Sequence, residues 1–342
     1  MSPTTQAEIL PTHTAALFAA AVRRAATLLR AGEIVALPTE TVYGLAANAG
    51  DAAAVTRIFA AKGRPAHNPI IVHVASLEMA RRCVQDWPPL AERLALAFWP
   101  GPLTLVLPRS PTIPDNVAAG GPTVGVRWPA HPLMQAVIRE CGFPLAAPSA
   151  NLANHLSPTN AEHVRQQLGD RIPLILDGGQ SQVGIESTVL DLVATPPRVL
   201  RPGMIAESAL QTVAGLLASA SIARTPEADP LRSPGQLDRH YAPRAQLLLG
   251  NWHSDAELRA WLAAHGAEPG ATCVVAHTTL PQPVGFLRVG LIPHDAEAFA
   301  RALYAELHAC DAEGARWIAV EAPPDTPEWH GIADRLTRAA TR

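Results

Sequence analysis

Apolar residues recur at helical spacing from Thr14 to Ala31, through Leu17, Ala21, Ala25 and Leu28, and Gly32 supplies the usual C-terminal stop. The short apolar run Glu33 to Leu37 that follows, ended by Pro38, predicts a strand. A second helix is predicted over Asp51 to Ala61, with Asp51 as its N-cap. Pro69 to Val74 reads as a strand, and Leu77 to Gln85 and Pro89 to Phe98 as helices. Leu103 to Leu107 and Thr123 to Arg127 then read as strands, Pro132 to Cys141 as a helix, and Leu145 to Ala147 as a strand end. A helix over Ala161 to Leu168 and strands at Leu174 to Leu176, Thr188 to Asp191 and Arg198 to Leu200 complete this part, before a helix near Ala209 to Ala218. Strands and helices interleave without strict alternation, which predicts a mixed α/β sheet rather than a simple doubly wound one.

The texture changes after residue 220. The stretch to Arg244 has four prolines and little periodicity, and reads as a linker or an ordered crossing segment. Strand and helix patterns resume beyond it: strands at Gln246 to Leu249, Thr272 to Ala276 and Trp317 to Glu321, and helices at Ser254 to Ala264 and Ala296 to Cys310. This tail reads as a second, smaller α/β unit. With 342 residues, 48% of them hydrophobic and 17% charged, the chain can bury two cores and is not a disordered segment.

Net charge −3 argues against broad, nonspecific binding to nucleic acid, though not against a local basic pocket. The four cysteines, at 83, 141, 273 and 310, form no CxxC pair and have no metal-ligand spacing, so reduced, mostly buried thiols are expected. The N-terminus lacks a signal-peptide pattern, and no stretch of about 18 uncharged apolar residues suggests a membrane span.

Five segments carry candidate chemistry. PTETVYGL (38–45) follows a strand and offers hydroxyls and backbone groups at a loop, or is a plain turn. In KGRPAHNP (62–69), Lys62 and Arg64 flank a glycine and Asn68 adds a polar group, an arrangement able to hold phosphate oxygens, or a solvated basic turn. No GxxxxGK[ST] loop occurs, so any ATP site is of another type. His73 sits within an apolar strand, where a satisfied core histidine is the usual reading. In VGVRWP (124–129), Arg127 ends a strand and could clamp a carboxylate, or form a surface ion pair. AAPSAN (146–151) with Ser157 supplies small residues and neutral donors, or a hydrogen-bonded turn. GIESTV (184–189) and VLRPG (199–203) place Ser187 and Arg201 beside predicted strands.

None of these is specific alone, but their order is. The chain resembles the YrdC/Sua5 family of threonylcarbamoyl-AMP synthases: the pairs Lys62-Gly63-Arg64 and Ser149-Ala150-Asn151 match its KxR and SxN signature, and PTETVYGL, VRWP, ESTV and RPG follow in family order. SPGQLDRHYAP (233–243) resembles the linker of the longer Sua5 branch; Gln236-Leu237-Asp238 depart from the family's usual residues, while His240 to Pro243 are intact. The resemblance implies a YrdC-type catalytic domain over residues 14–215, a linker or lid over 216–245 and a C-terminal Sua5 domain over 246–342. The first would be a twisted mixed sheet with helices and a concave basic cleft, the last a smaller Rossmann-like α/β unit.

By the same resemblance, Thr41, His73, Arg127, Ala147 (through its backbone) and Ser187 would hold L-threonine. Arg64, Asn68, Thr123, Ser149, Ser157, Arg201 and Tyr241 would hold ATP. Lys62, Arg64, Ser149 and Asn151 would form the catalytic signature, with Lys62 and Asn151 facing the phosphates and Tyr241 lying over the cleft as part of a lid. The implied reaction joins threonine, bicarbonate or CO2, and ATP into L-threonylcarbamoyl-AMP, releasing pyrophosphate, as the first step of tRNA threonylcarbamoyladenosine (t6A37) modification. Mg2+ would arrive with ATP, since no carboxylate cluster looks like a metal cage. Partners would be downstream tRNA threonylcarbamoyl transferase proteins, tRNA being engaged only indirectly, in the cytoplasm and away from membranes. The alternative is an RNA-binding module using the basic cleft. Carbamoyl transfer of the hydrogenase-maturation type would call for an acylphosphatase-like segment and zinc-finger cysteines, and the sequence shows neither.

Overall fold

The computed structural model describes residues 6–218, 232–235 and 241–341; Gln236, Leu237, Asp238 and His240 of the linker motif therefore lie outside the described residues. Strand β1 (Glu8–Pro11) leads into helix α1 (Ala15–Arg30), whose start is set by the Thr14 hydroxyl accepting from the Leu17 amide at 3.2 Å. Strand β2 (Val35–Leu37) turns back through the PTETVY segment into β3 (Gly44–Asn48). Asp51 then caps α2 (Ala52–Lys62) by accepting from the amides of Ala53 and Ala54 at 2.9 and 3.1 Å. Gly63, with φ 61°, ends α2 in the left-handed conformation and leaves Lys62 in the last helical turn, where a cation suits the helix dipole.

Next come β4 (Val72–His73), α3 (Leu77–Arg82), α4 (Pro89–Phe98), β5 (Leu103–Pro108) and β6 (Thr123–Arg127). They are followed by α5 (Pro132–Cys141), β7 (Leu145–Ala146), α6 (Ala161–Leu168), β8 (Leu174–Asp177), β9 (Thr188–Asp191), β10 (Arg198–Arg201) and α7 (Glu207–Ala214). The ten strands form one sheet in the order β1-β8-β2-β3-β7-β4-β6-β5-β9-β10. Four neighbouring pairs are parallel (β1/β8, β2/β8, β4/β6, β5/β9) and the rest antiparallel, so the sheet is mixed as the pattern predicted. The central strands are buried on both faces, which is why they read as continuous apolar runs rather than alternations.

The tail builds a second sheet from β11 (Gln246–Gly250), α8 (Asp255–Ala264), β12 (Thr272–Ala276), β13 (Arg288–Leu291), α9 (Ala296–Ala312), β14 (Trp317–Glu321) and α10 (His330–Ala340). Its order is β11-β14-β12-β13 and every pair is parallel, the arrangement expected of a Rossmann-like unit. Helix α7 precedes this unit and packs with the first body: Leu210 is buried in the larger core.

Four elements escape the sequence pattern. Strand β1 is a largely exposed edge strand without an apolar run. Strand β3 (Gly-Leu-Ala-Ala-Asn) is mostly Gly, Ala and Asn, which carry little strand propensity and are held by pairing with β2 and β7. Strand β13 pairs on one side only, at the sheet edge. Helix α10 is amphipathic but begins without a side-chain cap.

The two bodies share an interface. Val42, Leu156 and Ile185 of the first pack into the same apolar cluster as Phe299, Leu303 and Leu336 of the second. Arg301 Nε donates to the Gln182 carbonyl at 2.8 Å, and the His163 and His308 rings stack at 3.8 Å between centroids. The backbones approach so closely that a Cβ on Gly184 would lie 2.3 Å from the Ala300 carbonyl oxygen, and one on Gly331 2.9 Å from Gly203. All four cysteines are buried free thiols. Among the described residues, no helix is long and apolar enough to cross a membrane.

Candidate active site

The PTETVY turn, the ends of β4 and β6, the segment after β7, the loop before β9, the end of β10 and the linker converge on one cavity. It encloses about 520 Å³ including its open mouth. Of the residues singled out in the sequence, Thr41, Arg64, His73, Arg127, Ala147, Ser149, Ser187, Arg201 and Tyr241 line it. Lys62, Asn68, Thr123, Asn151 and Ser157 do not.

One group of lining side chains is organised around Arg127. Because β4 and β6 run parallel with His73 level with Arg127, both side chains arrive at the same strand end. Arg127 Nε donates to the Gly101 carbonyl at 3.2 Å and Nη1 to Thr41 Oγ1 at 2.9 Å. Its Nη2 lies 2.6 Å from Glu40 Oε1, with both side chains under a tenth exposed. The Thr41 hydroxyl also meets that of Thr39 at 2.8 Å. Burial and then the Arg127 charge push His73 down to about 3, so its imidazole is neutral.

A second group carries two guanidinium groups, Arg64 and Arg201. Arg64 donates from Nε to the Asn68 carbonyl at 3.2 Å and from Nη2 to the Pro69 carbonyl at 2.8 Å. Burial lowers it to about 10, which leaves it charged at neutral pH. Arg201 donates from Nε to the Ser187 carbonyl at 3.1 Å and from Nη2 to Ser187 Oγ at 3.0 Å. It also reaches the Pro234 carbonyl in the linker at 3.4 Å.

The signature pairs interlock behind this surface. Lys62 Nζ donates to the Ser149 carbonyl at 2.5 Å, to the Asn151 carbonyl, and to Asn151 Oδ1 at 3.2 Å. Burial and the neighbouring Arg64 hold it well below the usual lysine range. Ser149 Oγ donates to Asn151 Oδ1 at 2.5 Å, and Asn151 Nδ2 to the His155 carbonyl at 2.7 Å. Lys62 and Asn151 are both buried: two carbonyl oxygens and Asn151 Oδ1 occupy the ammonium, and these bonds fix the loop that presents Ser149.

Of the remaining expected ATP residues, Asn68, Thr123 and Ser157 stand back from the cavity wall and Tyr241 is part of it. Asn68 is buried and offers Arg64 its backbone carbonyl. Thr123 lies at the opposite end of β6 from Arg127, paired with Pro108. Ser157 is fully buried and donates to Glu186 Oε1 at 2.5 Å. Tyr241 is 1% exposed and adopts φ 59°, with its ring in the wall.

Two carboxylates went unremarked in the sequence. Glu40 sits inside PTETV and Glu186 inside ESTV, so the signal lay in motifs already chosen; their partners did not. The cavity hydroxyls of Thr41, Ser149 and Ser187 are bonded to Arg127, Asn151 and Arg201 rather than to an imidazole. The arrangement therefore suits the binding and electrostatic steadying of anions more than the activation of a serine or threonine nucleophile. Among the described residues no cluster of His, Cys, Asp or Glu could hold a metal ion.

A Sua5/YciO/YrdC family model, described as "Telomere recombination", matches residues 27–203, and one described as "Threonylcarbamoyl-AMP synthase, C-terminal domain" matches residues 205–341. The threonylcarbamoyl-AMP synthase of Bacillus subtilis (strain 168) is 40% identical over 325 residues, 93% of this chain and 92% of the relative. That of Pyrococcus abyssi is 46% identical over 228 residues, 67% of each chain. The crystal structure of P. abyssi Sua5 complexed with L-threonine superposes with a TM-score of 0.84 at 38% identity, covering 93% of this chain and 94% of that one.

Proposed function

The chain belongs to the Sua5/YrdC family, and from that premise we propose that it condenses L-threonine, bicarbonate or CO2, and ATP into L-threonylcarbamoyl-AMP. Pyrophosphate and, from bicarbonate, water are the other products. The product would be the activated intermediate for tRNA threonylcarbamoyladenosine (t6A37), passed to downstream transferase proteins. The observation that carries the reading is one cavity lined by three buried guanidinium groups, those of Arg127, Arg64 and Arg201, together with the hydroxyls of Thr41, Ser149 and Ser187. A carboxylate-bearing amino acid and a triphosphate are anions that such a lining suits.

In this reading the Arg127 guanidinium pairs with the threonine carboxylate. Thr41, His73 and Ser187 surround the side-chain hydroxyl, and the Ala147 backbone completes the pocket. The neutral threonine amine adds to CO2 or bicarbonate and forms a carbamate. A carbamate oxygen then attacks the α-phosphorus of ATP, the bond to the β,γ-diphosphate breaks, and pyrophosphate leaves. The nucleophile is already an anion, so no protein base is needed for that step. The protein's task is to bring two anions together and steady the charge of the transferring group, and Arg64, Arg201 and Ser149 serve it. Asn68 acts through Arg64, Ser157 through Glu186, and Lys62 and Asn151 through the Ser149 loop. Mg2+ enters as part of the nucleotide substrate. The relative's complex with L-threonine supports the amino-acid half.

The test is pyrophosphate release by the purified chain with MgATP and bicarbonate. Release should require L-threonine and fall by at least about a hundredfold in Arg64→Ala. Valine should be a poor substrate because a buried polar group left unmatched costs about 1–3 kcal/mol. Serine should lose about 10–200-fold for its missing methyl. Threonine-independent hydrolysis, or salt-sensitive RNA binding that survives Arg64→Ala without any release, would overturn the reading.

A further inference from the structure

Among the described residues, Glu186 is the only carboxylate lining the cavity. A free carboxylate there would oppose any anionic ligand, yet both of its oxygens are taken. Oε1 accepts from Ser157 Oγ at 2.5 Å. Oε2 accepts from Arg335 Nε at 2.7 Å and from the Tyr304 hydroxyl at 3.1 Å. Arg335 Nη2 also donates to the Glu186 backbone carbonyl at 3.3 Å. Ser157 belongs to the first body; Tyr304 and Arg335 come from α9 and α10 of the second.

Arg335 is 1% exposed. Its Nη1 donates to Asp334 Oδ2 at 2.5 Å, and its guanidinium carbon lies 5.1 Å from the centroid of the Tyr241 ring. The Tyr241 hydroxyl and the Arg201 side chain both lie against Gly235 of the linker. Burial pushes the Glu186 carboxyl up, but Arg335 and then Arg201 outweigh it, and it sits below its ordinary value. One side chain on the last helix thus touches the cavity's carboxylate and the linker tyrosine beside it.

We propose that Arg335 is a positioning residue for nucleotide binding at the part of the cavity wall formed by Glu186, Arg201 and Tyr241. By neutralising Glu186 and stacking on Tyr241 it makes that wall acceptable to a polyanion, so the C-terminal domain is part of the site. The inference rests on the ATP reading above. Its physical basis is that an uncompensated carboxylate in a poorly screened cleft repels phosphate strongly, whereas a paired one does not.

The test uses the full chain, varying ATP in pyrophosphate release at saturating threonine and bicarbonate, with the Kd of a non-hydrolysable MgATP analogue measured in parallel. Arg335→Met should raise the KM for ATP and the analogue Kd by about tenfold or more, with kcat changed by less than about threefold. Arg335→Lys keeps the charge but not the fork that spans Glu186 and Asp334, so its KM should fall between those of wild type and Arg335→Met. The double variant R335M/E186Q should recover most of the loss, because nothing anionic is left exposed. The excess KM of Arg335→Met over wild type should also shrink as pH falls from about 8 to about 6, as Glu186, freed of its cation, takes up a proton. A tether of merely structural value predicts a double variant at least as impaired as the single one and an excess independent of pH; either result overturns the proposal, as does an unchanged KM in Arg335→Met. If Arg335→Met does not fold, the double variant, which buries no unpaired charge, carries the comparison, and a loss of tenfold or more there overturns it. A wild type that binds the analogue but releases no pyrophosphate overturns the synthase reading while the Kd series still decides the role of Arg335; a wild type that binds no nucleotide overturns both.

Discussion

Glu40 offers a sharp test of how the surroundings of Arg127 are built. Its carboxylate lies 2.6 Å from Arg127 Nη2, and the two side chains are 9% and 4% exposed. Glu40→Gln keeps volume and shape, so no cavity forms and the change is one of charge. Arg127 retains its bonds to the Gly101 carbonyl at 3.2 Å and to Thr41 Oγ1 at 2.9 Å, so the guanidinium stays in place but without its counter-charge. Breaking one side of a buried ion pair costs about 3–5 kcal/mol. At roughly 2–4 °C per kcal/mol for a body of this size, the melting midpoint should fall by roughly 6–20 °C. If the threonine carboxylate binds Arg127, saturating L-threonine supplies the missing charge and should narrow the gap between variant and wild type by about half. Thermal melts of both proteins, with and without threonine, measure this directly. A variant melting within about 2 °C of wild type would refute the argument that the pair is energetically coupled. A gap that threonine leaves untouched would refute the placement of its carboxylate on Arg127.

Two further outcomes separate positioning from contact and interface from core. Lys62→Met leaves the Ser149 and Asn151 oxygens without their donor, so it should lower the melting midpoint and pyrophosphate release together, whereas Ser149→Ala should lower release alone; a fully active Lys62→Met variant would refute the role given to that ammonium. The His163–His308 stack between the bodies should make stability acid-sensitive: burial, then the neighbouring His308, hold His163 down to about 3, and burial holds His308 below its ordinary value, against the opposing pull of Glu162 and Asp311. Depressed folded values mean that this contribution is complete above the unfolded value of about 6.5 and is lost as pH falls from there toward about 3. Melting midpoints from about pH 7.5 to pH 5 should therefore fall less steeply in His308→Gln than in wild type, and equal slopes would sink the idea.

Most helices and central strands were legible because their signals are local. Thr14 and Asp51 cap where the pattern begins, Gly63 stops α2, and the apolar runs of β5, β6 and β9 follow from burial on both faces. Strand β3 was not, because its small residues owe their conformation to partners on either side rather than to propensity. The same division runs through the cavity. Arg127 and Arg64 announce themselves as cations in loops and at strand ends, but which cation faces the cavity and which faces inward is a matter of packing. Lys62 and Arg64 stand two residues apart and go opposite ways: α2 ends between them, and the Ser149–Asn151 loop claims the first.

The sequence by itself determined the mixed α/β class, the two-part organisation, the order of the motifs and the residue types that line the cavity. These rest on periodicity, caps and short motifs, all readable within a few residues. Only the tertiary structure decided that His73 and Arg127 share a strand end, that Glu40 balances Arg127, and that Arg335 reaches across 149 residues to Glu186. Register and burial are long-range outcomes of strand pairing and close packing, and the partner of a buried charge is whatever that packing brings within about 3 Å of it.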